Sequence, residues 1–123
     1  MKLGEVSLLT NQVIRMSEFY KALLEVINDS DDSVHQTILR EETMLTIYDD
    51  GSVKNNNNQN ICIAFTVDDI EKEYKKVKTL GAKIIEEPTV RPWGTRNMSF
   101  YDPDGNVVYL REYLAENVEE TLS

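Results

Sequence analysis

The sequence is poor in the residues that carry out most metal and redox chemistry: it has one histidine and one cysteine among 123 residues. A lone Cys62 excludes an intrachain disulfide, which fits a reducing compartment. A lone His35 excludes a two-histidine metal site, so any catalysis would rest on carboxylates, tyrosine, the thiol or backbone groups. Positive charge is scarce as well, with 13 Lys and Arg against 22 Asp and Glu and a formal charge of −9. That balance argues against nucleic acid, whose phosphates are bound chiefly through Lys and Arg, and against an anionic membrane surface. No run approaches the ~18 apolar residues of a membrane span. The opening Met1-Lys2-Leu3-Gly4-Glu5 reaches polar residues too early for a secretory signal. The expectation is a cytoplasmic protein with neither nucleic acid nor membrane as partner. Its acidity favours a neutral or cationic small molecule.

What is present is enough for a core: 41% of the residues are hydrophobic, and the length suits a single domain, residues 1–123. Within it the order of elements is written twice. Leu3-Gly4-Glu5-Val6-Ser7-Leu8-Leu9-Thr10 is a β-prone run, and Asn11 is placed to cap a following helix. Val13, Met16, Tyr20 and Leu23 recur at helical spacing and predict a helix over 13–24. Residues 33–39 and 43–48 read as strands joined by the charged turn Arg40-Glu41-Glu42, and a short strand over 25–28 is left open because its apolar content is thin. The polar stretch 51–59, with four consecutive asparagines from Asn55, reads as a linker.

The second half repeats the pattern. Residues 61–67 read as a strand whose Ile61, Ile63, Phe65 and Val67 face the core, and Asp68 or Asp69 caps the next helix. Ile70, Tyr74, Val77 and Leu80 form its apolar stripe, Gly81 suits its C-terminal stop, and Glu71 and Lys75 are spaced for an ion pair. Strands follow near 82–85, 95–101 and 106–113, the last two joined by the β-turn Asp102-Pro103-Asp104-Gly105. The boundaries expected are module one at about 1–50, a linker at about 51–59, module two at about 60–114 and an acidic tail at 115–123. In repeat register, Glu5-Val6-Ser7-Leu8-Leu9-Thr10 lies against Cys62-Ile63-Ala64-Phe65-Thr66-Val67, and Met44-Leu45-Thr46-Ile47-Tyr48 against Val107-Val108-Tyr109-Leu110-Arg111.

With these residues in place the sequence resembles the vicinal oxygen chelate superfamily, which includes glyoxalase I, extradiol dioxygenases and bleomycin-resistance proteins. The likeness is carried by Ser17-Glu18-Phe19-Tyr20-Lys21 with Leu23-Leu24, by Phe65-Thr66-Val67-Asp68-Asp69, and most specifically by Pro92-Trp93-Gly94-Thr95-Arg96 followed by Phe100-Tyr101-Asp102-Pro103-Asp104-Gly105-Asn106. It runs from about Leu3 to about Tyr113. The resemblance implies an α+β fold of two βαβββ modules forming a curved, half-closed mixed sheet, with helices on the convex face and the ligand on the concave one. It also implies a homodimer.

The resemblance further implies that metal ligands, where members use them, sit at four repeat-related places, here Glu5, Thr46, Cys62 and Tyr109. Of these only Glu5 is a good hard-metal ligand; Thr46 and Tyr109 offer neutral hydroxyls, and one thiolate with one carboxylate is a poor set. No metal and no cofactor are therefore expected. Glu5 then reads as a carboxylate at the sheet rim or paired with Arg96 or Arg111, as an acid that meets a cationic or hydrogen-bonding ligand, or as a general base. Tyr48 and Tyr109 share a parity that either stacks on an aromatic ligand or packs against other strands, Cys62 reads as a small buried hydrophobe, and Trp93, in a loop over 88–94, as a lid or wall or as simple loop packing. Arg96, with Met98 and Phe100 on its parity, forms a mixed wall; the opposite parity, with Asn97 and Ser99 inward, stays open. His35 matches no ligand place. The function expected is a metal-free small-molecule-binding protein of sequestration or resistance type, its ligand cationic or aromatic and held by Glu5, Thr46, Tyr48, Cys62, Trp93, Arg96, Met98 and Tyr109. The alternative is a glyoxalase-type lyase or isomerase using Glu5 as base or metal ligand.

Overall fold

The computed structural model describes residues 1, 3–54 and 62–114. The chain divides into two compact units, Met1–Asn57 and Asn58–Ser123. The asparagine run of the expected linker, Ile61 and the acidic tail lie outside the described residues.

The first unit holds β1 (Val6–Leu9), α1 (Val13–Leu24), β2 (His35–Arg40) and β3 (Thr43–Tyr48). The second holds β4 (Cys62–Thr66), α2 (Ile70–Thr79), β5 (Ile84–Arg91), β6 (Thr95–Tyr101) and β7 (Val107–Tyr113). The protein is α+β, with its strands in two mixed sheets of order β1-β3-β2 and β4-β7-β6-β5. In each, the first strand lies parallel beside the last, and the hairpin partner of that last strand runs antiparallel on its other side. The repeat register is reproduced by the ladders. Ser7 pairs with Thr46 as Ala64 pairs with Tyr109, and the Thr10 amide donates to the Tyr48 carbonyl (2.9 Å) as the Val67 amide does to that of Arg111 (2.8 Å).

Among the described residues the first unit has one strand fewer than the second. No strand forms over 25–34, which has only three apolar side chains, Val26, Ile27 and Val34, among four acids. Polar contacts organise that segment instead: Lys21 Nζ donates to the carbonyls of Asn28 (3.3 Å) and Ser30 (3.0 Å), and Asn28 Nδ2 donates to the Thr37 carbonyl (3.4 Å). The amides of Val34 and His35 donate to the Asp32 carboxylate, which holds that acid below the usual carboxylate range.

Helix α1 buries Val13, Met16, Ser17, Tyr20 and Leu23 against the face of its sheet formed by Leu8, Ile38, Leu45 and Ile47. The expected Asn11 cap is not made: the cap position is Gln12, without a side-chain cap bond, and the Thr10 hydroxyl accepts the Gln12 amide (3.0 Å). Helix α2 is capped by Asp69, whose carboxylate accepts the Lys72 amide (3.2 Å), and Glu112 of β7 accepts the Ile70 amide (2.9 Å). It ends as expected at Gly81 (φ +78), where Gly81 and Ala82 amides close onto the Lys78 and Val77 carbonyls. Glu71 does not pair with Lys75. It reaches Arg96 on β6, and the ion pair within the helix joins Glu73 and Lys76 at 2.8 Å.

Strand β5 is longer than the expected 82–85 and runs through Pro88, so the loop expected over 88–94 shrinks to a turn at Pro92-Trp93-Gly94. Proline lacks a ladder donor, which an edge strand tolerates. β5 is the edge of its sheet, and its register with β6 shifts on both sides of Glu86. Tyr74 of α2 donates its hydroxyl to Glu87 of β5 (2.8 Å), and this acceptor raises the phenol above its ordinary range.

Candidate functional site

Each sheet has one face under its helix and one turned away, and strand alternation decides which side chains reach the second. In the first unit Val6, Leu8, Leu45 and Ile47 alternate toward α1, so Ser7, Leu9, Thr46 and Tyr48 project from the opposite face. Thr37 and His35 join them from β2 across from Thr46 and Tyr48. Glu5, just before β1, reaches the same face, because Thr46 Oγ1 donates a short hydrogen bond to Glu5 Oε2. Thr46 is 4% exposed and Glu5 is exposed, so the bond ties an accessible carboxylate to a buried hydroxyl. Oε1 of Glu5 keeps its acceptor capacity.

Tyr48 and His35 meet edge to face, with ring centroids 5.4 Å apart and an interplanar angle of 69°. Leu9, Leu39 and Met44, all exposed, add apolar surface on this side. His35 is the residue of this face that matches no ligand place in the repeat. Its partner Tyr48, one strand over, was visible only through the β2–β3 register.

In the second unit Val108, Leu110, Met98 and Phe100 line the face under α2, each at most 2% exposed. Cys62, Ala64 and Thr66 alternate away from them and pair with Val107, Tyr109 and Arg111. Across β7, Tyr109 stands opposite Ser99 and Arg111 opposite Asn97. Cys62 is exposed rather than the buried hydrophobe expected, because it opens β4 on the face away from α2, and Tyr109 is half-buried.

This geometry corrects the parity of β6. Met98 is fully buried beneath α2, and Arg96, on the same side, forms an ion pair with Glu71 of that helix. Both belong to the helix interface, and the residues of β6 on the opposite face are Thr95, Asn97 and Ser99. The apolar pair Met98 and Phe100 carried that signal, as Ile63 and Phe65 did for β4. What obscured it was a charged residue on the same parity, whose partner lies 25 positions earlier on another element.

Trp93 sits at the tip of the β5–β6 turn and is 60% exposed. Gly94 follows it with φ +92, a conformation that favours glycine, and its amide closes the turn onto the Arg91 carbonyl at 3.2 Å.

The four places at which family members hold a metal are divided between the units. Glu5 and Thr46 fall in the first, with the Thr46 hydroxyl spent on Glu5; Cys62 and Tyr109 fall in the second, two residues apart in the β4–β7 register. Two neutral hydroxyls, one carboxylate and one thiol do not make the three-or-more His and carboxylate set that a catalytic divalent ion requires. Among the described residues no group of three or more His, Cys, Asp or Glu is arranged to hold one. No helix among them is long and apolar enough to cross a membrane.

The twice-written strand–helix–strand unit, with the first strand parallel to the last in each sheet, defines a paired-module protein of the vicinal oxygen chelate type. A family model, the Glyoxalase/Bleomycin resistance protein/Dioxygenase superfamily, matches residues 2–110, and the chain belongs to that superfamily. It is 39% identical over 71 residues to the uncharacterized protein YetH of Bacillus subtilis (strain 168), an alignment spanning 58% of each chain. Among solved structures it is similar to the fosfomycin resistance protein FosX from Mesorhizobium loti, with a TM-score of 0.74 at 19% identity over 99% of this chain and 98% of that one. A glyoxalase/bleomycin resistance protein/dioxygenase from Nocardioides superposes with a TM-score of 0.76 at 16% identity, over 94% of this chain and 85% of that one. At these identities the two structures speak for the fold.

Proposed function

We propose that the protein is a metal-free binder of a small molecule, acting in the cytoplasm by sequestration as a resistance-type member of its superfamily and doing so as a homodimer. The observation that carries this reading is the donor set: at the four places where family members hold a metal, this chain has Glu5, Thr46, Cys62 and Tyr109. Around Glu5 the side chains are those of a binding surface. The carboxylate is held by Thr46, Tyr48 and His35 offer rings, and Leu9 and Met44 offer apolar area. An acid beside aromatic rings suits a cationic or aromatic ligand, drawn by charge and by stacking. That fosfomycin resistance proteins share the fold supports a resistance-type role.

A second reading, a lyase or isomerase with Glu5 as general base, is favoured by the one oxygen of Glu5 that Thr46 leaves accessible. Thermal shift against cationic drugs, thiol conjugates and aromatic diols separates the two. A binder is stabilised by about 2.7 kcal/mol at a ligand concentration 100-fold above its Kd. Glu5→Gln should reduce that stabilisation for cationic hits, with the compound recovered unchanged. A hit converted to product by the wild type and not by Glu5→Gln would establish the enzyme reading. Hits equally strong with both proteins would remove Glu5 from the site.

A further inference from the structure

The face of the second sheet turned away from α2 reverses the sign of the chain. The protein carries a net charge of −9, yet β4, β7 and β6 together hold a single acid, Glu112, and it lies on the helix side, accepting the Ile70 amide. On the face away from α2, where Glu86 of the edge strand β5 is tied to Arg91, stands Arg111, flanked by Thr66 on β4 and Asn97 on β6. The other arginines of this unit have carboxylate partners: Arg91 pairs with Glu86 and Arg96 with Glu71. Arg111 has none among the described residues.

Its guanidinium is nevertheless held. Nε donates to Thr66 Oγ1 at 3.0 Å, and Cζ lies 5.5 Å from the centroid of the Tyr113 ring. One edge of the fork is thereby used, while Nη1 and Nη2 have no hydrogen-bond partner among the described residues. Beside it, Thr95 is 3% exposed with an unpartnered Oγ1, and Asn97 has a buried, unpartnered Oδ1. Buried hydroxyls and amides ordinarily find partners, and these two have none, so they stand unspent on the protein beside the positioned guanidinium. A hydroxyl donates by rotation, and an amide donates by exchanging its oxygen for Nδ2.

We propose that Arg111, with Thr66, Thr95 and Asn97, forms an oxyanion site in the second unit that takes a small molecule's carboxylate or phosphate-type group. The guanidinium fork matches the two oxygens of such a group, and Thr95 and Asn97 supply neutral donors around it. This rests on the small-molecule-binding reading and names, for the second unit alone, the chemical group taken there. The local geometry of this sheet selects an anion, separately from the cationic or aromatic preference of the Glu5 face in the first unit.

The test is a titration of the full-length chain, followed by amide NMR shifts at constant ionic strength, with inorganic phosphate, with benzoate, and with benzamide as the uncharged control. Saturable shifts are expected around Thr66, Asn97 and Arg111 with at least one anion and none with benzamide; the tighter anion identifies the group. Arg111→Gln should weaken the binding by about tenfold or more, the loss expected for a charge-assisted hydrogen-bonded pair. Thr66→Val, which keeps the charge and frees Nε, should weaken it by a smaller factor and serves if the arginine variant misfolds. No saturable shift with either anion, or unchanged binding in Arg111→Gln or in Thr66→Val, would overturn the proposal. Anion binding at Arg111 in a protein that answers to no compound in the ligand panel would uphold the subsite and remove the sequestration reading, so the two fail separately.

Discussion

Replacing Asp102 by alanine should cost about 3 kcal/mol or more of stability, because its carboxylate is the centre of the turn that launches β7. The residue is 4% exposed. Oδ1 accepts the amides of Asp104 and Asn106, both at 2.9 Å, and Oδ2 accepts Asn106 Nδ2 at 2.8 Å. The backbone closes the same loop, with Asp102 and Asn106 joined amide to carbonyl at 3.0 Å and Gly105 (φ +84) donating to the Asp102 carbonyl at 2.9 Å. Alanine leaves three buried donors without their acceptor, each of which costs ~1–3 kcal/mol when unsatisfied. Urea unfolding followed by circular dichroism measures the loss. A change below about 1 kcal/mol would show that water replaces the carboxylate and that the turn stands without it. Because β7 carries Tyr109 and Arg111, the same variant should broaden the amide signals of both.

Met98→Ala should destabilise by about 2–5 kcal/mol, the range for truncating a buried aliphatic side chain in a core. Met98 is fully buried with Phe100, Val108 and Leu110 under α2, so the loss combines lost transfer energy with a cavity that the strand cannot close. Cys62→Ser, on the opposite and exposed side, should change stability by no more than about 0.5 kcal/mol. The contrast reports the face directly. A mild Met98→Ala together with a costly Cys62→Ser would mean that the two faces of the second sheet had been exchanged.

These two positions also show what was legible in the sequence. The alternation of Ile63 and Phe65 with Cys62, Ala64 and Thr66 assigns β4 correctly, because one face is apolar and the other is not. The repeat register follows from two such strands, and the ladders reproduce it residue by residue. β6 resisted the same logic because both of its faces are buried: Thr95 and Ser99 are as hidden as Met98 and Phe100, so polarity ceases to report orientation. The path of β5 through Pro88 was hidden for a different reason. The strand lies at an edge, where a missing donor costs little, and nothing in a sequence says which strand will be the edge.

At the site, Glu5 and Thr46 were both legible as candidates, and their hydrogen bond follows from the β1–β3 register. The positions of Arg111 and Asn97 on one face were not legible, since they depend on the pairing of β6 with β7 and of β7 with β4 together. His35 matches no ligand place, but it stands against Tyr48 on the same face as Glu5, where a ring is useful without any metal.

The central claim is that this chain binds its ligand without a metal. Equilibrium dialysis of the purified protein against Ni2+, Zn2+, Fe2+ and Mn2+ in turn, followed by elemental analysis, tests it most directly. With Thr46 and Tyr109 at two of the four ligand places, none of these ions should be retained in stoichiometric amount, and Glu5→Gln should not change the result. Retention of one ion per chain that is lost in Glu5→Gln or in Cys62→Ser would contradict the account and return the protein to the metal-dependent side of its superfamily.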